Sequence, residues 1–328
     1  MDSKQQAIGV PSAVATQLPK PIDFSAGYHR CMFSYRHAFH AGNHADVLKH
    51  TVLIATLEHL TQKDAALTVV DTHAGAGLYR LDGDFARTSG EAGDGLHRLL
   101  QDTPGSEPLV PTLQAYVDVL RAFNAGQVFK VYPGSPFIIQ HLLRAHDKLK
   151  LFELHPSDWR ALAGNVAQLK AGRQIAVLME DGFEGWRKFL PPPARRAFLL
   201  CDPSYEIKSD YGKVLELAQE GLKRFPTGTY AIWYPLIARP EAHDLPRRLK
   251  TLASKNGKSW LHATLTVKAG KITESADGKL IRPGLPASGM FLINPPHTLR
   301  AALTPAMPQL VQRLGQDRHA AFTLDSGG

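Results

Sequence analysis

Leu67-Thr-Val-Val-Asp-Thr-His-Ala-Gly-Ala-Gly77 begins with a short β-branched run, turns at the acid Asp71 and closes on Gly75 and Gly77. A run this short and this rich in β-branched residues reads as a buried strand rather than a piece of helix. The glycines after it let the backbone pass close beneath a ligand. A dinucleotide fingerprint would need its third glycine at position 80, which is Arg80, so a pyrophosphate-binding turn is a poor fit. No Walker lysine follows either, which disfavours phosphoryl transfer.

On both sides of this segment apolar runs alternate with amphipathic ones, as in a βα repeat. Ala45, Leu48, Val52, Leu53, Leu57 and Leu60 recur at helical spacing and predict a helix over 43–62. Further strands are predicted at 150–153, 175–179, 197–201, 229–233, 260–267 and 290–293, with helices over 156–169, 183–190, 211–225 and 238–252. Residues 83–130 are rich in Gly, Pro and Asp, carry one predicted helix over 112–123, and exceed what a crossover needs. They read as a helical insertion. The expected fold class is α/β: a Rossmann-like, doubly wound, mostly parallel sheet with a late antiparallel strand. Residues 1–31 lack any period and predict a disordered extension, with Met32 a candidate start of the folded unit. The catalytic domain is expected over 32–318, with 319–328 a flexible, fraying C-terminus.

The 328 residues carry a formal net charge of +8, which favours a polyanionic partner. No apolar run approaches the ~20 residues of a membrane span, so a soluble protein is expected. The two cysteines, Cys31 and Cys201, have neither metal-clamp nor disulfide-framework spacing and fit a reducing, cytoplasmic compartment. His37, His40 and His44 have no Cys or carboxylate cluster to complete a site, and no metal is expected.

Ligands of such sheets bind beyond the carboxyl ends of the strands. Here four successive ends carry acids: Asp71, Glu153, Glu180-Asp181-Gly182 and Asp202. Asp71 is placed to bind an amino-acid ammonium or to order the glycine loop. Glu153 is placed to accept both ribose hydroxyls of an adenosine. Asp181 would accept from an adenine amine, with Gly182 permitting close approach. Adenosine plus an amino-acid tail describes S-adenosylmethionine.

Cys201-Asp-Pro-Ser-Tyr-Glu206 follows the fourth strand and resembles the acid/Asn–Pro–Pro–aromatic tetrapeptide of methyltransferases acting on planar exocyclic amines. The lone pair of an adenine amine is delocalised into the ring, so the amine is a poor nucleophile. Hydrogen bonds to Asp202 and to the Pro203 carbonyl would localise it, and Tyr205 would stack on the flipped base. Ser204 departs from the second proline and loosens the loop. Asn294-Pro-Pro-His297 fits the pattern superficially but lacks the aromatic, and reads as a structural turn.

The segment from Phe33 to His50 resembles the opening of the bacterial 23S rRNA adenine-N6 methyltransferase J family. So do Asp71–Gly77, Tyr132–Pro136, Glu153–Ser157, Tyr230–Pro235, Ala287–Met290 and Asn294–Pro296, so the likeness runs from about Met32 to about Pro308. The resemblance implies an S-adenosylmethionine-dependent RNA methyltransferase acting on protein-free 23S rRNA, with a helical insertion after the first strand. It implies cofactor contacts at His50, His73, Ser135, Glu153, Asp181, Gly182 and Asp202, and a substrate-side role for Tyr35. His50, on a helix, reads equally as core. Ser135 precedes a helix whose N-terminal amides favour a carboxylate, although a plain N-cap is also compatible. Arg36, Lys49, Arg80, Arg87 and Arg98 lie near the expected site or insertion, and Arg247, Arg248, Lys250, Lys255 and Lys258 form a later basic run. A monomer is expected. The competing readings are a DNA adenine-N6 methyltransferase, for which no target-reading domain is evident, and a non-catalytic RNA-binding factor, for which Ser204 is the main support.

Overall fold

The computed structural model describes residues 40–82, 91–101, 107–124, 126, 128–270, 273–274, 280–281 and 284–328. The expected extension over 1–31, Tyr35, Arg36 and Arg87 lie outside the described residues.

An eight-stranded sheet forms the centre, in the order β12-β8-β11-β7-β6-β1-β4-β5. Its strands are β1 (Thr68–Asp71), β4 (Lys148–Phe152), β5 (Ile175–Leu178), β6 (Ala197–Cys201), β7 (Thr229–Pro235), β8 (Trp260–Thr266), β11 (Ala287–Ile293) and β12 (Ala321–Gly327). β1 pairs in parallel with β4 on one side and β6 on the other, so strand order reverses at β1 and opens a crevice above its carboxyl end. β11 runs antiparallel to β7 and β8, and β12 antiparallel to β8, so two late strands are reversed where the sequence predicts one. The C-terminus expected to fray is an edge strand: Ala321–Gly327 pairs along Trp260–Thr266, and that ladder holds it. Two short ribbons stand outside the sheet, β2 (Leu78–Arg80) with β3 (Val131–Pro133), and β9 (Thr273–Glu274) with β10 (Leu280–Ile281).

Alternation along the strands divides the apolar side chains between two faces. Val69, Leu151, Leu200, Ala231 and Met290 pack under α1 (His44–Gln62), α2 (Pro111–Ala122), α3 (Ser135–Leu142) and α8 (Leu299–Leu314). Phe152, Leu199, Cys201, Tyr230 and Phe291 pack against α5 (Gly182–Gly185), α6 (Ser209–Arg224) and α7 (Pro240–Lys255). Helix α4 (Pro156–Gln168) links β4 to β5.

Asn43 starts α1 by accepting the Ala45 and Asp46 N–H groups at 3.0 Å, an N-cap that fixes where the buried helix enters the fold. Residues from the insertion close on that point. Leu96 N–H donates to the Gly42 carbonyl at 2.8 Å and the Asn43 amide donates to Glu91 at 3.0 Å. Helix α8 has no counterpart in the sequence reading because Pro305 and Pro308 lie inside it. Leu303, Met307 and Leu310, all fully buried, supply the packing that keeps it helical despite the lost hydrogen bonds.

Candidate active site

The carboxyl ends of β1, β4, β5 and β6 enclose a cleft of about 230 Å³. His73, Gly75, Ser135, Glu153, Asp181, Gly182, Asp202 and Pro203 all line it, so the four acid-bearing strand ends of the sequence converge on one cavity.

Glu153 is fixed from both sides. Its Oε2 accepts the Gly75 N–H at 2.8 Å and its Oε1 accepts the His155 N–H at 2.6 Å. Burial raises its pKa to about 7, against those two donors, with the charge of Asp158 adding to the rise. Gly75 sits at φ +61°, and a Cβ there would meet the Tyr79 hydroxyl at 2.3 Å. Both the left-handed backbone and the close approach require glycine.

Asp71 lies beneath the cleft rather than in its wall. It is fully buried, accepts the Ser135 hydroxyl at 2.7 Å and accepts the His73 N–H at 3.2 Å. Of the two roles open to it, this geometry supports ordering of the loop. Burial, helped by the nearby Asp202 charge, raises its pKa to about 6. The Ser135 hydroxyl is spent on Asp71, so the cleft there is faced by the start of α3, where Gly134 and Ser135 line the wall.

His73 stands edge-on to Phe183 with ring centroids 4.7 Å apart. Burial lowers its pKa to about 4 in spite of Asp202 and Asp181, so the imidazole is neutral near physiological pH. Asp181 caps α5, accepting the Phe183 N–H at 2.9 Å. Gly182 serves packing first: a Cβ would fall 1.8 Å from the Thr72 carbonyl oxygen. Gly182→Ala must therefore push α5 away from the loop after β1. A stability loss of about 2 kcal/mol is expected, with weakened cofactor binding. Urea unfolding checks it, and wild-type stability would refute this packing role.

Asp202 has a partner that the sequence reading names only as one of several basic residues near the site. Lys49 Nζ donates to Asp202 Oδ2 at 2.5 Å and lies 2.8 Å from Asp46 Oδ1, with the Lys49 side chain only 5% exposed. Burial works against its charge, but the two carboxylates outweigh burial and raise its pKa. Asp46 is anchored in turn by the Gly42 N–H at 2.9 Å. The signal was present: Asp46 and Lys49 sit one turn apart in a helix predicted from its apolar positions, where unpaired charge would be costly.

Two residues expected at the site stand behind its walls. Tyr205 is 2% exposed at φ +54°, with its hydroxyl donating to the Trp233 carbonyl at 2.7 Å and its ring packed 4.6 Å from that of Tyr211. In this arrangement it braces the Asp202-Pro203-Ser204 loop from the core and presents no face to a base in the cleft. The loop is also held by Arg239, which donates to the Tyr205 carbonyl at 2.9 Å. His50 is fully buried, with Nδ1 2.7 Å from the Tyr132 hydroxyl, which is 3.2 Å from that of Tyr116. This chain of contacts ties α1 to β3 and α2. Ser204 lines the cleft, where the second proline of the tetrapeptide would stand.

Asn294 of the second tetrapeptide-like segment donates to the Pro226 and Gly228 carbonyls, away from the cleft, as a turn-stabilising residue does. Among the described residues no three His, Cys, Asp or Glu side chains gather as metal ligands would, and no helix is long and apolar enough to cross a membrane.

Residues 64–325 match the family described as ribosomal RNA large subunit methyltransferase D, RlmJ. The chain is 40% identical over 283 residues to the ribosomal RNA large subunit methyltransferase J of Escherichia coli K12, spanning 86% of this chain and 94% of that one. To its namesake in Haemophilus influenzae Rd the identity is 39% over 295 residues, spanning 90% and 98%. The crystal structure of a Legionella pneumophila Philadelphia 1 protein is similar with a TM-score of 0.74 at 29% identity, covering 88% of this chain and 98% of that one. With the acid-rimmed cleft at its sheet's switch point and this likeness over most of its length, the chain belongs to the ribosomal RNA large subunit methyltransferase J family.

Proposed function

We propose that this protein methylates the N6 amine of an adenine in protein-free 23S rRNA, using S-adenosylmethionine, as a cytoplasmic monomer. The observation that carries the reading is the placement of Asp202, held by Lys49, on the same cleft as Glu153 and Asp181. All of these groups come from one chain, so the site needs no second copy.

The cleft suits the cofactor chemically. Glu153 would hold a ribose edge through its carboxylate, and Asp181 would accept from an adenine amine. The first turn of α3 presents amides toward a carboxylate. His73, neutral, adds no positive charge beside a sulfonium. When bound, S-adenosylmethionine supplies an electrophilic methyl group.

The chain's own residues prepare the acceptor. Asp202 accepts one amine N–H and the Pro203 carbonyl accepts the other, turning the nitrogen lone pair out of conjugation. Lys49 holds Asp202 in place through their ion pair, and Asp202 is the base proposed to take the departing proton. Tyr205 acts by fixing the loop from behind, in place of the stacking role its sequence position suggests.

Titration of Glu153 gives the reading a pH signature. Accepting two hydroxyls requires the carboxylate, and its pKa near 7 leaves much of it protonated below neutrality. Affinity for S-adenosylmethionine therefore rises with pH through about 7 and is about tenfold weaker at pH 6 than at pH 8. Asp71 also titrates nearby, at about 6, so Glu153→Gln is the control. Calorimetry across that range should find the wild type sloping and the variant nearly flat; equal slopes would remove Glu153 from the role.

The deciding experiment is transfer of labelled methyl from S-adenosylmethionine to deproteinised 23S rRNA from a strain lacking the protein, followed by nucleoside analysis. N6-methyladenosine on this RNA and not on duplex DNA is the expected result. Cofactor binding without transfer to RNA would overturn it.

A further inference from the structure

Outside the active site, a groove of about 310 Å³ runs between α6 and α7. Its floor is apolar, from Leu215 and Leu252, and its rim carries Gln219, Arg247, Arg248 and Lys255. The opposite faces of the same helices are the packed ones: Leu217, Ala218, Leu245 and Leu249 are buried. The cations are thus not required to hold the helices on the sheet.

Their charge is only partly compensated. Asp244 accepts two nitrogens of Arg247 and lies 4.0 Å from Arg248 Nε, so one carboxylate serves both guanidinium groups. Lys255 has no ion-pair partner among the described residues. Three cations against one carboxylate leave an excess of positive charge in a concave strip.

The groove and the active site share one element, α6, which presents a different face to each. Asp210 and Lys213, in the first turns of α6, line the catalytic cleft, and Leu215 and Gln219 of the same helix line the groove. From Asp210 to Gln219 the helix advances about 14 Å. A strand whose target base enters the cleft can reach the groove by passing across α6.

We propose that the α6–α7 groove is a docking track for the phosphodiester backbone of the substrate RNA, with Arg247, Arg248 and Lys255 as phosphate contacts. The inference rests on the rRNA reading but adds a surface to it. Such contacts give affinity and register without reading bases, and each adds to the salt dependence of binding.

The test is the variant Arg247→Gln/Arg248→Gln/Lys255→Gln, all at exposed helical positions where glutamine is tolerated. Arg160→Gln/Lys170→Gln/Arg173→Gln, equal in charge change and on α4 and the loop before β5, is the control. Binding of a labelled single-stranded oligoribonucleotide is measured by anisotropy across a salt series, alongside methyl transfer to deproteinised 23S rRNA. The groove variant is expected to bind RNA at least tenfold more weakly and to lose about two units of the log–log salt slope, at about 0.7 per cation on a single strand. Its turnover at saturating RNA and its S-adenosylmethionine affinity should stay within about twofold of wild type. Unchanged RNA affinity and slope would overturn the proposal and leave the groove to an acidic protein partner. An equal loss in the control would also overturn it. Wild-type RNA binding without methyl transfer would count against the rRNA reading alone, since anisotropy still reports on the groove.

Discussion

Replacing Asp202 by alanine is expected to lower methyl transfer to 23S rRNA about a thousandfold, with S-adenosylmethionine still bound within about tenfold of wild-type affinity. The asymmetry follows from the two sides of the cleft. Glu153 and Asp181, just beyond β4 and β5, are the residues proposed to hold the cofactor and are untouched by the change. On the acceptor side, the amine loses both the hydrogen bond that localises its lone pair and the nearby base. Lys49 keeps its second partner, Asp46, at 2.8 Å, so the fold has no reason to open. Single-turnover transfer and calorimetry measure the two quantities separately. Wild-type turnover would remove Asp202 from the reaction. Asp202→Asn refines the test: its carbonyl can still accept from the amine but cannot take a proton. Activity well above that of the alanine variant would assign most of the effect to lone-pair localisation.

Lys49→Met should damage both stability and activity. The substitution leaves the buried Asp46 and the partly exposed Asp202 with no cation between them, and breaking such a pair costs up to about 3–5 kcal/mol. The Lys49 pKa is raised, so its stabilising contribution is fully present below the ordinary lysine value and lost only as pH rises far into the alkaline range. Across physiological pH the wild-type Lys49 therefore does not titrate. The variant should instead gain stability as pH falls, as its stranded carboxylates take up protons. Lys49→Met/Asp202→Asn should recover much of the stability without recovering turnover, and that split separates the structural role of the pair from its chemical one. Denaturant unfolding at two pH values and single-turnover transfer supply the readouts. A single variant as stable as wild type would mean that the carboxylates are solvated in its absence.

The sequence was most informative where local chemistry and periodicity coincide. The β-branched run before Asp71, the acids closing four successive strands, and Cys201-Asp-Pro-Ser-Tyr205 each declare themselves within a few residues. Strand order is less local, yet parallel pairing on both sides of β1 follows from the βα rhythm. The rhythm fails at the C-terminal end. Prolines inside α8 mimic a break, and the short terminal stretch at 321–327 resembles a tail until β8 offers it an open edge. Neither case could be judged from a propensity, because in both a distant element supplies the stabilisation.

By itself, then, the sequence determined the α/β class, the acids and glycines at the strand ends and the kind of ligand they suit, since each depends on residues adjacent in the chain. Only the tertiary structure decided what each group does. Lys49 reaches Asp202 across 153 positions. Asp71 is sealed beneath the loop it orders, and the Tyr205 ring turns into the core to bond the Trp233 carbonyl. Burial and pairing set the charge of an ionisable side chain and the direction of an aromatic one, and those are properties of the space around a residue, which the chain acquires only when it folds.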